Sequence, residues 1–244
     1  MATELLFRSD AYLAEAEARV TGLTPEGGLL VDRSIFYPTG GGQPGDSGWI
    51  TWTGAGGAAR KVMIAVAVKA EGDLVALVPA EPLALPGPGT VIRQRLDWSR
   101  RHLHMRVHTA LHLLSVVIAL PVTGGQIGAG TGRLDFDMAD PPGDLALLEA
   151  RLNALVEADW PVTDTWITEG ELAANPGLVK TMSVRPPAGA GRVRLVRIGD
   201  PGVLIDLQPC GGTHVARTGE VGALHLGKLE KKGRQNRRIT LHLG

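Results

Sequence analysis

A chain of 244 residues of which 44% are hydrophobic can bury a sizeable core, as one large domain or two small ones. Its 25 Lys and Arg balance 25 Asp and Glu, so no overall field marks a nucleic-acid or membrane partner, and any polyanion site must be local. The N-terminus has no signal-peptide pattern, no apolar run reaches the ~18 residues a bilayer span needs, and the single cysteine fits a reducing compartment; the expectation is a soluble, cytoplasmic protein.

Residues 1–95 read as a small β domain of short apolar runs between Gly-rich turns. Tyr12, Ala14, Ala16, Ala18 and Val20 would share one strand face, with Glu15, Glu17 and Arg19 on the other. Gly48–Thr53, Lys61–Val68, Leu74–Val78 and Val91–Leu96 repeat the pattern, which favours a barrel that closes its own edges. Between them FYPTGGGQPGDSG, Phe36 to Gly48, is too rich in Gly and Pro for a regular element. It is either a barrel turn or a cradle for phosphate or ribose, and it lacks the Lys and spacing of a P-loop.

Pro79, Pro82, Pro86 and Pro88 mark a connection, and a second domain is placed at 96–244. Asp97 or Ser99 can cap a long apolar helix over Arg100–Leu120, which Pro121 stops. Arg100, Arg101 and Arg106 are placed on its exposed side, to meet a phosphate backbone or simply to be solvated, and His102 and His104 are expected at the surface. VTGGQIGAGTGRLDFDM then predicts a Gly-rich loop entering a strand, Leu134–Met138; Thr123, Gln126 and Thr131 are its candidates for lining a small pocket. A helix over Asp144–Asp159 would bury Leu145, Leu148, Leu152, Leu155 and Val156. Trp166 lies in a strand, and Thr168 caps a short helix that Asn175-Pro176-Gly177 ends. Strands Arg192–Ile198 and Val203–Leu207 lead into QPCGGTHV.

Two motifs carry the chemistry. His108 and His112 stand four residues apart, so on a helix their imidazoles share a face and can reach one point. Cys210 and His214 flank a Gly-Gly turn, which lets both side chains face one ion; the other reading of a lone cysteine is a small buried hydrophobe. Together they offer one thiolate and three imidazoles, a donor set that suits Zn²⁺ and disfavours Mg²⁺ or Ca²⁺. A zincin-type protease is excluded, because Thr109 stands where its general-base Glu would be.

The C-terminal GKLEKKGRQNRRITLHLG carries Lys228, Lys231, Lys232, Arg234, Arg237 and Arg238 against Glu230 alone. Lying between Leu224–Leu229 and Ile239–Leu243, it reads as a basic hairpin tip suited to phosphate contacts.

HTALHLL with CGGTHV, the lead-in LDWSRRHLHMRVH, LDFDM, TGEVG and FYPTGGGQPGD resemble the editing region of alanyl-tRNA synthetase over nearly the whole chain. Without an aminoacylation core, the chain is similar to the free-standing AlaX-type editing proteins, in their medium-length form. The resemblance implies an α+β protein: a translation-factor-like β-barrel, then an α/β editing domain with an antiparallel sheet and a zinc-binding helix. It implies zinc on His108, His112, Cys210 and His214, and hydrolysis of Ser-tRNA(Ala), with Gly-tRNA(Ala) a second substrate. It also links the Gly-rich loop to editing, which makes Thr39 and Gln43, with Gln126 and Thr131, the substrate-pocket candidates. Arg100, Arg101, Lys231, Lys232 and Arg234 are the expected tRNA contacts.

Such chemistry is needed because a pocket shaped for alanine excludes glycine or serine only by ~10². Four protein ligands would, however, close a tetrahedral site. The alternative is therefore a non-catalytic tRNA-binding module with a structural zinc.

Overall fold

The computed structural model describes residues 2–182 and 191–244 and divides into two compact units, one ending at His102 and one starting at Leu103. Among the described residues no helix is long and apolar enough to cross a membrane.

In the first unit β1 (Glu4–Leu5) pairs in parallel with β4 (Arg33–Ser34). The strands β2 (Glu15–Leu23), β3 (Leu29–Val31), β5 (Gly48–Thr53), β6 (Ala59–Ala70), β7 (Leu74–Pro79) and β8 (Val91–Leu96) close a barrel in the order β2-β3-β7-β6-β5-β8. Period-two alternation decides its filling: Ala18, Val20, Ile50, Ile64, Ile92 and Leu96 are buried, while Glu17, Arg19, Arg93 and Arg95 face out. The first strand begins later than its apolar pattern suggests, and Tyr12 packs instead on Trp98, with ring centroids 5.5 Å apart.

The Gly-rich segment is a built turn. Gly40 and Gln43 exchange backbone hydrogen bonds of 3.0 and 2.9 Å around Gly41 (φ 57°) and Gly42 (φ 82°), the two left-handed positions of a type I′ turn. Glycine at 45 is a steric requirement, since a Cβ there would lie 2.0 Å from the Ala67 carbonyl oxygen. The helix α1 (Trp98–Val117) is capped by Asp97, whose Oδ1 accepts the Arg100 N–H at 3.2 Å.

Its first turn corrects one expectation. Arg101 is fully buried, not on an exposed side. Its Nε lies 2.9 Å from Asp46 Oδ2, its Nη1 donates to Ala11 O at 2.9 Å and its Nη2 to Ile35 O at 2.7 Å. Asp46 also accepts the Tyr37 N–H at 2.6 Å, so this ion pair ties the helix start to the Gly-rich segment.

The second unit holds the rest of α1, with Met105, Val107, Ala110, Leu113 and Leu114 all buried, as befits a helix enclosed on all sides. His104, expected at the surface, is buried too. One antiparallel sheet contains β9 (Val122–Ile127), β10 (Thr131–Asp137), β14 (Leu224–Leu226) and β16 (Asn236–Leu243) in the order β14-β16-β10-β9, with β15 (Glu230–Lys231) also pairing β16. A second contains β11 (Val162–Thr168), β12 (Arg192–Ile198) and β13 (Asp206–Pro209). The helix α2 (Leu145–Glu157) is capped by Asp144, and α3 (Glu169–Ala174) by the reciprocal Thr168–Glu171 box.

Two stretches depart from the sequence reading. Val122–Ile127 is a strand, although its glycines suggest a loop. Glycine is there for close approach: a Cβ at Gly125 would sit 3.0 Å from Cδ2 of its cross-strand partner Leu134, and one at Gly132 of β10 only 2.5 Å from Val107 Cγ1 of α1. The strand expected at Val203–Leu207 begins at Asp206. Val203 and Leu204 are 43% and 59% exposed, whereas Asp206 and Gln208 are 2% and 7% exposed. This strand buries its polar face.

Candidate metal centre

Within the second unit, His108, His112, Cys210 and His214 each bring one donor atom to a common point, all within 4.8 Å of one another. α1 supplies the first two from one face. β13 runs directly into the turn that supplies Cys210, and His214 follows four residues on. Cys210 Sγ lies 3.4 Å from His108 Nε2 and 3.3 Å from His214 Nε2. The His108 and His214 rings are 4.2 Å apart, and those of His112 and His214 4.5 Å.

Neighbours fix which ring nitrogens face inward. His112 Nδ1 meets Asp206 Oδ2 at 2.9 Å; a carboxylate only accepts, so Nδ1 carries the proton and Nε2 is left for the cluster. Gln208 Nε2 donates to the same Oδ2 at 2.7 Å, and Lys180 Nζ holds Oδ1 at 2.5 Å. Thr109 Oγ1 lies 3.2 Å from His214 Nδ1 and accepts the Val215 N–H at 3.3 Å. The residue that excludes a zincin thus has its own part, orienting one of the four donors.

The electrostatics match that geometry. Burial opposes charge on His112, but the hydrogen bond to Asp206 and the Cys210 thiolate prevail, and its pKa is pushed up to about 9. Burial also works against Asp206, yet its bond to His112, with Lys180 beside it, holds the carboxyl far below the usual range. The Cys210 thiol is depressed against its burial by His108 and His214, and His214 is depressed by burial and the charge of His108. A thiolate facing a protonated ring is a site where a cation can replace a proton.

Asp206, Gln208, Lys180 and Thr109 were not read from the sequence as parts of this centre. A usable signal was present for two: Asp206, Gln208 and Cys210 alternate with period two and so share a strand face.

The other candidates are placed as follows. Gly132 of β10 faces α1, so by alternation Thr131 and Arg133 point to the opposite side of the sheet. Gln126 is the cross-strand partner of Arg133 and accepts from its Nε at 3.1 Å, so it stands on that far side too. Gln126 and Thr131 therefore point away from α1, the helix that carries two of the four donors. Thr123 is bonded to Asn236 Oδ1 at 3.1 Å.

In the first unit, Thr39 Oγ1 accepts the Gly45 N–H at 2.9 Å and Gln43 is buried in the type I′ turn. Arg100 is half-buried and donates to Gly45 O at 2.6 Å, while Arg101 is spent on Asp46 and is withdrawn as a surface cation. At the hairpin, Lys228, Lys231 and Arg234 are exposed and Lys232 pairs with Glu230. Arg237 is buried, and Arg238 grips Asp135 at 2.7 and 2.9 Å.

A family profile described as the second additional domain of threonyl and alanyl tRNA synthetases matches residues 193–240, which include Cys210 and His214. Over 99% of both chains the sequence is 33% identical to an alanyl-tRNA editing protein AlaX-M of Methanosarcina acetivorans, and 32% identical to that of Methanosarcina barkeri. It is 31% identical to an alanine–tRNA ligase of Pyrobaculum arsenaticum over 94% of this chain and 25% of the ligase.

Proposed function

The chain belongs to the AlaX-type alanyl-tRNA editing proteins, in their medium-length form, and from that premise we propose that it is a zinc-dependent hydrolase that deacylates tRNA(Ala) mischarged with serine, with glycine as a second amino acid removed. The observation that supports this best is the convergence of His108, His112, Cys210 and His214 within 4.8 Å, with His112 held by the buried Asp206.

The donor set fits zinc: one sulfur and three imidazoles, with His112 and His214 each bonded through Nδ1 so that Nε2 is free to coordinate. When bound, zinc supplies Lewis-acid polarisation of an ester carbonyl and lowers the pKa of water to about 7. The residues do the rest. Asp206 keeps the Nδ1 proton of His112 in place and Thr109 fixes the ring of His214. In the net reaction water adds its oxygen to the ester carbonyl carbon, the carbonyl–ribose oxygen bond breaks, and the ribose leaves as an alcohol.

Residues 1–95 are proposed as a translation-factor-like barrel and 96–244 as the editing domain, acting in the cytoplasm. Exposed Lys231 and Arg234, with Lys232 and the half-buried Arg100, are proposed to hold the tRNA through phosphates. Of the four side chains expected to select serine, Thr39 and Gln43 remain proposed.

The test is a deacylation time course on Ser-, Gly- and Ala-tRNA(Ala) with zinc-replete protein. Fast loss of serine beside stable alanine is the expected result. No hydrolysis of any of the three would leave the tRNA-binding module as the better reading.

A further inference from the structure

We infer that Arg194 is the positioning residue that presents Cys210 to the metal, its guanidinium clamping the Cys-Gly-Gly turn by the turn's own carbonyls. The inference rests on reading the four-residue cluster as a metal centre. Three of the four donors sit on firm supports: His108 and His112 on the enclosed helix, His214 against Thr109. Cys210 lies beyond the end of β13, and its Sγ meets the histidine rings of the cluster and a distant Gly212 N–H at 3.5 Å. Its position depends on how its backbone is held.

Arg194 holds it on both sides. The Arg194 carbonyl accepts the Cys210 N–H at 3.1 Å, one residue past the Leu195–Pro209 pair that ends the β12–β13 ladder. Its side-chain Nη1 donates to Cys210 O at 3.1 Å and to Gly212 O at 3.1 Å. One residue thus fixes the carbonyls of the residues on both sides of Gly211, where the exposed backbone has no side chain to lock it.

The charge is placed unlike that of an arginine kept for stability. In the first unit buried Arg101 is neutralised by a buried carboxylate, Asp46, with an Nε–Oδ2 distance of 2.9 Å. Arg194 has an 11% exposed side chain, but the carboxylate paired with it, Asp164, is 3.6 Å away and 36% exposed. Its Nε is buried with no hydrogen-bond partner among the described residues. An arginine so weakly compensated is costly to bury, and its most regular contacts are the carbonyls of the ligand turn. Nη1 takes both carbonyls with its two N–H groups, held in the fixed plane of the guanidinium, whereas a lysine ammonium has no such plane to aim them.

Cys210 is the chain's single cysteine, so its thiol can be followed without interference. Two measurements test the assignment on Arg194→Met, Arg194→Lys and Asp164→Asn: cobalt(II) titration of the metal-stripped protein, reading the thiolate-to-cobalt absorption band, and the alkylation rate of the metal-free thiol by iodoacetamide. Arg194→Met is expected to weaken cobalt binding by about 10- to 100-fold, to diminish the thiolate band more than the total cobalt bound, and to speed alkylation by about tenfold as the turn opens locally. Arg194→Lys should fall between it and the unmodified protein, and Asp164→Asn should leave both readouts unchanged.

Unchanged alkylation and cobalt affinity in Arg194→Met would overturn the inference, as would an Asp164→Asn effect equal to it, which would make the ion pair the active element. If Arg194→Met does not fold, judged by circular dichroism, the ranking of Arg194→Lys against Asp164→Asn decides in the same way. If the unmodified protein takes up no cobalt, the metal-centre reading fails, while the alkylation series still decides whether Arg194 holds the turn.

Discussion

Asp206 Oδ2 lies 2.9 Å from His112 Nδ1, joining a buried carboxylate on β13 to a donor on α1. That bond selects the tautomer that frees Nε2. Asp206→Asn should therefore weaken zinc affinity by about 10- to 100-fold, in the range found for outer partners of metal-bound histidines. Chelator competition measures it directly, and an unaltered dissociation constant would remove Asp206 from the centre.

Stripping the metal should abolish deacylation while lowering the melting temperature only modestly. The second unit buries an apolar core, including Met105, Val107, Leu113, Leu114, Phe136 and Ile239, that can carry its stability. A structural zinc would behave differently, since its loss removes folding free energy outright. Collapse of far-ultraviolet circular dichroism on chelation would favour the binding-module reading.

The part of this centre legible in the sequence is the part that follows fixed spacing. His108 and His112 are four apart on a helix, and Cys210 and His214 flank a turn, so residue type and interval were enough. The barrel strands were legible for the same reason, through alternation in segments such as Val91–Leu96. Where local chemistry and tertiary demand conflict, the pattern misleads. Val203 and Leu204 read as strand core but are exposed, because the neighbouring strand turns Asp206 and Gln208 inward toward His112. Arg101 reads as a surface cation because its partner Asp46 is 55 residues away. Glycines at 124 and 125 read as loop because the close approach they permit involves β10.

The hairpin makes a separate prediction. Replacing Lys231, Lys232 and Arg234 by Ala should flatten the dependence of log affinity for tRNA on log salt by about 2, at roughly 0.9 per phosphate contact for two full contacts and a weak third. Lys232 is counted as the weakest contributor because Glu230 already pairs with it at 2.5 Å. Zinc content should not change. Fluorescence anisotropy across a salt series gives the slope, and a parallel line displaced by nothing would place the RNA elsewhere.

Acidification should expose a different pair. Asp135 is held below its ordinary value of 3.8, chiefly by its hydrogen bond to Arg238, with Arg133 adding to it. A depressed carboxyl contributes stability above its unfolded pKa and loses it as pH falls through the folded value. Asp135→Asn should therefore cost about 1–2 kcal/mol near neutral pH, and the gap to the unmodified protein should close well below 3.8. Urea melts across that range measure it, and a gap independent of pH would mean packing, not charge, is what the substitution removes.

Selection of serine over alanine gives the last prediction. A buried polar group that bonds the serine hydroxyl and is left unpaired by alanine costs ~1–3 kcal/mol, roughly ten- to a hundredfold in rate. Gln126 and Thr131 are not expected to be that group if the reaction takes place at the four donors, because Gly132 fixes the α1 side of β10 and both side chains stand on the other side. Thr131 already donates to Leu241 O at 3.0 Å, and Gln126 already accepts from Arg133. Thr131→Val and Gln126→Met should thus leave the ratio of Ser- to Ala-tRNA(Ala) hydrolysis within about twofold of the unmodified protein. Thr39→Val should lower that ratio by the larger factor and Thr39→Ser restore it, since serine keeps the hydroxyl that accepts the Gly45 N–H. Both hydrolysis rates must be measured for each variant. A tenfold fall in the ratio for Thr131→Val with Thr39→Val silent would return selectivity to the far side of the sheet.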